Sequence, residues 1–149
     1  MSAQEIRKRD WLQLTLRMII GGIFIYAAVP KILAPGEFYL SILGYDLITG
    51  PLAKLAALWI PWLELIGAIG VIFGIWYLAN LRIVQVLLGV FVVILLLTLI
   101  RGIQTDCGCF GHVLGRISWW HVVGDLILLL MTTFLISWAK FVRYSEASD

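Results

Sequence analysis

Cys107 and Cys109 are the only cysteines in a chain of 149 residues, and one glycine separates them in the stretch TDCGCFGH. Oxidation of a Cys-x-Cys pair closes a very small ring, and Gly108 removes the side chain that would resist so tight a backbone. The ring departs from the separation that disulfides prefer, and strain makes such a bond easier to reduce. It also closes so short a loop that little entropy is taken from the unfolded chain. The pair therefore suits thiol-disulfide exchange better than stapling: one cysteine attacks a partner's disulfide as thiolate and the other resolves the mixed disulfide. Two other readings stay open. The pair can be a structural disulfide that shapes a docking loop. Alternatively Cys107, Cys109 and His112 can offer two thiolates and an imidazole to copper or zinc, with Asp106 or His121 as a fourth ligand. Against the metal stands the spacing, since structural zinc uses cysteine pairs two to four residues apart and this chain has no second pair.

The elements that must position these cysteines are set by composition. Hydrophobic residues make up 62% of the chain and charged ones 13%, with a mean hydropathy of +1.00. That is the balance of an integral membrane protein surrounded by lipid. A formal charge of +2 with eleven scattered Lys and Arg gives no nucleic-acid footprint, so that class of partner is excluded. The apolar runs are continuous rather than alternating, which argues for helices and against an outer-membrane barrel. Arg7, Lys8 and Arg9 resemble the basic start of a signal peptide, but no small-x-small cleavage site follows, and the first run reads as a transmembrane helix.

The expected fold is all-α, a bundle of four transmembrane helices with the Cys-x-Cys loop between the third and the fourth. The first span covers residues 11–29 and stops at Pro30. Residues 30–51 form an outer loop or a set of short interfacial pieces, because Pro30, Pro35, Gly36, Gly44, Gly50 and Pro51 interrupt any long helix. Tyr39 and Tyr45 in this stretch read as interface anchors. The second span covers residues 52–76, with Pro61 as a kink and Gly70 and Gly74 as close-packing points. The segment YLANLR turns the chain into a third span at residues 83–100. The cysteine loop is 101–118, the fourth span 119–139, and a charged tail 140–149 closes the chain.

Basic residues set the orientation. With both termini cytoplasmic, the inner side holds Arg7, Lys8, Arg9, Arg17, Arg82, Lys140 and Arg143, and the outer side Lys31, Lys54, Arg101 and Arg116. Seven against four, with a cluster ahead of the first span, places both long loops outside a bacterial inner membrane, where thiols can pair. Arg17 is close enough to its end of the span to snorkel to the headgroups.

Charges inside the spans are functional signals by default. Glu64 lies deep in the second span, and Asp125 lies one or two turns below the outer end of the fourth, four residues from His121 and on the same face. Together with Arg101 and Lys31 they are expected to converge on a polar pocket beneath the cysteine loop. That pocket reads either as a ligand or proton site or as an ion-pair network that fixes helix packing.

Several stretches together carry a family likeness: GGIFIYAAVPKILAP around the end of the first span, IPWLELIGAIGVIFG in the second, RGIQTDCGCFG in the loop and SWWHVVGDLILLL in the fourth. They resemble the DoxX-like superfamily, specifically its MauE branch, from Arg17 to Leu130. The resemblance implies a four-helix membrane bundle tied to redox or disulfide chemistry, in the branch associated with maturation of methylamine dehydrogenase. Its motif positions fall here on Lys31, Pro61, Glu64, Arg101, Cys107, Cys109, Phe110, Gly111 and Asp125. Better understood four-helix thiol oxidoreductases of the DsbB kind pass electrons through two cysteine pairs to a quinone, whereas this chain has one pair. The partners this implies are membrane lipid, a periplasmic thioredoxin-like or redox-enzyme protein that supplies the second dithiol, and further subunits of the same or another kind. No cofactor is fixed by the residues; a quinone facing Cys107 and Cys109, or held at Glu64 and Asp125, is the candidate.

Overall fold

Unbroken apolar runs leave the backbone no partner but itself, and in lipid that condition is met by helices. A computed structural model describes residues 3–103 and 119–146, with side chains for residues 11–103 and 119–140. Its helices are α1 (Ala3–Leu33), α2 (Pro35–Gly44), α3 (Gly50–Phe73), α4 (Tyr77–Ile100) and α5 (Trp119–Glu146). Among the described residues there is no strand. Four stretches are long and apolar enough to cross a membrane: Trp11–Leu33, Gly50–Phe73, Tyr77–Ile100 and Trp119–Lys140, with mean hydropathies from 1.7 to 3.1. At about 1.5 Å per residue each exceeds the ~30 Å hydrocarbon layer. The chain is an all-α, four-span membrane protein. The Cys-x-Cys pair and the rest of residues 104–118, His112 included, lie outside the described residues, as do the last residues of the tail.

Contacts fix the directions of the helices. Lys31 of α1 bonds Glu64 of α3, while Arg17 of α1 lies over Tyr77 at the start of α4. On the other side Gln85 Nε2 of α4 donates to Thr133 Oγ1 of α5 at 2.9 Å, and Leu95 of α4 packs with Val122 of α5. Each long helix is thus antiparallel to the next, so α1 begins and α5 ends at the same end of the bundle. The main contacts are α1 with α3, α3 with α4 and α4 with α5, and α1 touches α5 only slightly. The central core gathers Ile20, Phe24, Ala68, Val71, Leu81, Val84, Leu88, Leu135 and Ile136. Outward faces carry Leu55, Trp59, Val86, Val93 and Leu130, as a bundle surrounded by lipid requires.

The structure departs from the sequence reading in three places. Pro30 does not end α1, which continues to Leu33. A proline costs one helical hydrogen bond, yet leaving the helix inside lipid would expose several more backbone groups, and Ala34 N still donates to Pro30 O. α3 likewise runs through Pro61. The segment expected as an outer loop or a set of short interfacial pieces contains one such piece, α2, ten residues long and too short to span. Pro35 at its start supplies no amide that the first turn would need. Phe38 and Ile42 of α2 pack on Ala53 and Ala57 of α3, and Tyr45, expected as an anchor, is buried.

The third departure is the turn between α3 and α4. It is Gly74–Trp76 rather than YLANLR, which is helical from its first residue. Gly74 takes the left-handed conformation (φ 71°) that glycine adopts without penalty, and Trp76 follows with φ 41°. Asn80 secures the turn: its Nδ2 donates to Ile75 O at 2.7 Å, and Gly70 leaves the room that its side-chain amide occupies. The two glycines of the GxxxG pair therefore serve this turn within the chain. Replacing Gly70 with alanine should displace Asn80 and lower stability by ~1–3 kcal/mol, the usual cost of overpacking. Gly89→Ala, where the added carbon meets nothing within 4 Å, should leave stability unchanged or raise it slightly. Thermal unfolding of both variants in the same detergent checks the contrast.

Candidate functional site

A lysine and a glutamate face each other inside the bundle. Lys31 Nζ donates to both carboxylate oxygens of Glu64, each at 2.8 Å. The two residues are 3% and 2% exposed, so water cannot take over either half of the pair. Glu64 is ten residues from Gly74, ~15 Å of helix, which places its carboxylate near the middle of the hydrocarbon layer. Lys31, two residues from the end of α1, reaches that depth because a helical side chain leans toward the helix N-terminus. Rings of Phe38 from α2 and Phe91 from α4 flank the ammonium, with Nζ 5.1 Å and 4.8 Å from their centroids. α2 thus lays an aromatic cover over the pair.

Asp125 joins this site from α5. With Lys31 and Glu64 it lines a small cavity otherwise bounded by Ile23, Phe24 and Ala27 of α1, Leu88 and Phe91 of α4, and Leu128 of α5. The cavity lies where α1 and α5 make slight contact. Asp125 is half-buried and within electrostatic reach of His121, Lys31 and Glu64, so the shared helical face expected for His121 and Asp125 is present. The cavity measures ≈ 30 Å³, room for about one or two waters and far below the several hundred Å³ of sites that enclose ligands of drug size. It does not fit a quinone ring.

Of the four residues expected in a common pocket, Lys31, Glu64 and Asp125 are together and Arg101 is not. Arg101 is exposed at the end of α4, where its Nη1 donates to the carbonyl of Asp46 at 3.3 Å. That bond ties the link between α2 and α3 to the point where the chain enters residues 104–118. Among the described residues no three His, Cys, Asp or Glu side chains gather closely enough to hold a metal. The metal reading through Cys107, Cys109 and His112, like the exchange reading, concerns residues outside that set. Phe38 and Phe91 escaped the sequence reading, because a phenylalanine in an apolar run carries no signal that it faces an ammonium.

Fold and site together define a multi-pass membrane protein with a buried lysine-carboxylate centre below one end of a helical bundle. Comparison with known families narrows this further. Residues 9–139 match the family model described as methylamine utilisation protein MauE, and the chain belongs to that family. Three similar proteins bear the name methylamine utilization protein MauE. The one from Methylorubrum extorquens is 29% identical over 113 residues, 75% of this chain and 61% of the relative. Those from Paracoccus versutus and Paracoccus denitrificans are 28% identical over 130 residues (86% and 70%) and 30% over 115 residues (76% and 62%). The chain thus spans about three fifths of the length of two of these relatives and seven tenths of the third. No solved structure matches the chain.

Because the pair is buried, removing one partner strands the other. Lys31→Met or Glu64→Leu alone should cost ~3–5 kcal/mol, whereas the double variant Lys31→Met/Glu64→Leu should recover most of that loss. Unfolding midpoints of the three variants in one detergent, analysed as a double-mutant cycle, measure the coupling; independent, additive losses would show that the two charges do not act as a pair.

Proposed function

We propose that this chain is a membrane thiol-disulfide redox protein acting through Cys107 and Cys109, supporting disulfide formation or maturation of a periplasmic or respiratory redox partner, within the methylamine utilisation for which its relatives are named. The observation that carries this reading is the position of the Lys31, Glu64 and Asp125 site relative to the cysteine segment. That segment leaves α4 after Arg101 and returns at Trp119, and Asp125 follows Trp119 by six residues, ~9 Å of helix. A site able to hold or pass a proton therefore lies below the end of the bundle at which the chain leaves α4 and enters α5.

The exchange itself is balanced without a cofactor. A thiolate of the partner attacks one sulfur of the Cys107–Cys109 disulfide, and the partner's second thiolate displaces the other. The partner leaves oxidised, and two electrons and two protons remain on this chain; the reverse sequence reduces the partner. Arg101, at the base of the segment, and His112, three residues after Cys109, favour the thiolate form electrostatically. The pair faces the oxidising side of a bacterial inner membrane, with both termini cytoplasmic, a reading supported by the seven-to-four division of basic residues and by the antiparallel order of four spans.

One observation favours a second reading. Lys31 and Glu64 satisfy each other and are covered by rings, which suits a packing device as well as a proton site. On that reading the protein is a non-catalytic subunit or assembly factor, and its loop disulfide shapes a docking surface. The test is the redox state of the cysteines in living cells, read by acid quenching, alkylation with a mass-tagging maleimide and gel mobility. Exchange predicts that the pair is reduced by a brief pulse of reductant and promptly reoxidised, and that Cys107→Ser and Cys109→Ser each abolish exchange while membrane insertion is kept. Exchange retained in both single variants overturns the proposal. A pair that resists the pulse, with a double serine variant that still co-purifies with its partner, establishes the second reading. Permanently reduced cysteines with metal found by elemental analysis would point to metal delivery through Cys107, Cys109 and His112.

A further inference from the structure

At the opposite end of the bundle, half-buried Arg17 has no counter-ion among the described residues. Its guanidinium carbon lies 3.8 Å from the centroid of the Tyr77 ring, so the charged group is held over an aromatic face. Its Nε is sealed from the surroundings and has no hydrogen-bond partner, and the same holds for the Tyr77 hydroxyl. The ion pair of Lys31 with Glu64 is elsewhere. A guanidinium keeps its charge at every accessible pH, and a charge left unpaired within a span is costly. The fold nevertheless holds this one in place.

The edge of the guanidinium meets the turn between α3 and α4, where a carbon added to Gly74 would lie 3.4 Å from Nη1. Beside it stand Phe73, Ile75 and Trp76, exposed by 73%, 60% and 84%. Trp11, six residues before Arg17 in α1, is exposed as well. Exposed tryptophans bracketing an arginine mark the level of the lipid headgroups. The arrangement therefore combines an oriented fork of donors, whose geometry matches two oxygens of one phosphate, with an apolar flank on which acyl chains can lie.

We propose that Arg17, braced by Tyr77 and set against Gly74, binds the phosphate of a membrane phospholipid in the leaflet on the side where α1 begins and α5 ends. The site is some 15 Å of helix from Glu64 and is independent of the redox proposal. The exposed apolar residues beside the turn favour a lipid over free phosphate, because inorganic phosphate would gain nothing from them.

The test uses the full chain in mild detergent, titrated with short-chain phosphatidylglycerol and followed by native mass spectrometry. Diacylglycerol serves as a probe without phosphate, and inorganic phosphate as a competitor. The expected result is one retained phosphatidylglycerol, with affinity at least about tenfold weaker in Arg17→Gln, the loss of one charge-assisted contact. Arg17→Lys, which keeps the charge but not the fork, should fall between, and Tyr77→Leu, which removes the bracing ring, should bind more weakly than wild type. Equal binding by wild type and Arg17→Gln would overturn the proposal, as would equal retention of diacylglycerol. Displacement of the lipid by millimolar inorganic phosphate would reassign the site to free phosphate. Should Arg17→Gln fail to fold, the comparison of Arg17→Lys with wild type and the preference of wild type for phosphatidylglycerol over diacylglycerol decide the matter.

Discussion

Lys31 and Glu64 neutralise each other across the contact between α1 and α3, and much of the bundle is arranged around that bond. Neither charge has water to turn to, so the two helices must meet in the register that brings an ammonium within 2.8 Å of two carboxylate oxygens. A shift of one helical turn would leave both charges in hydrocarbon without partners. Apolar packing between membrane helices cannot impose this, because lipid tails are as apolar as the side chains they replace. The ion pair thus supplies a specificity that the leucines and valines around it lack.

Other features follow from that bond. α1 has to continue past Pro30 so that Lys31 is carried on a helix, and α2 has to fold back so that Phe38 closes over the ammonium. Phe91 completes the enclosure from α4, and Asp125 enters from α5 along the line where α1 and α5 scarcely touch. A carboxyl beside a neutralised pair, with room for a water, is a chemical arrangement and not only a packing one.

The two ends of the bundle solve different problems. One carries α2, the bond from Arg101 to Asp46 and both ends of the cysteine segment. The other is a tight turn built on Gly74 and fastened by Asn80, with Arg17 over the Tyr77 ring beside it. Membership of the MauE family places the chain in a protein group named for methylamine utilisation.

The apolar runs determined the class and the number of spans, because length and hydropathy are properties of contiguous residues. Glu64 and Asp125 were legible for the same reason: a carboxyl in an apolar run stands out without any knowledge of its neighbours. The ends of helices were less legible. Pro30 is a breaker by local chemistry, and lipid overrules it; Gly74 looked like a packing point, and its left-handed backbone makes it the end of a helix. Which charges meet was decided only in three dimensions. Lys31 and Arg101 carry the same sign near the same end of the bundle, yet Lys31 reaches Glu64 and Arg101 turns to a backbone carbonyl. That choice depends on helix register, on how far a side chain can lean and on which rings cover it, and these are relations between segments rather than properties of any one of them.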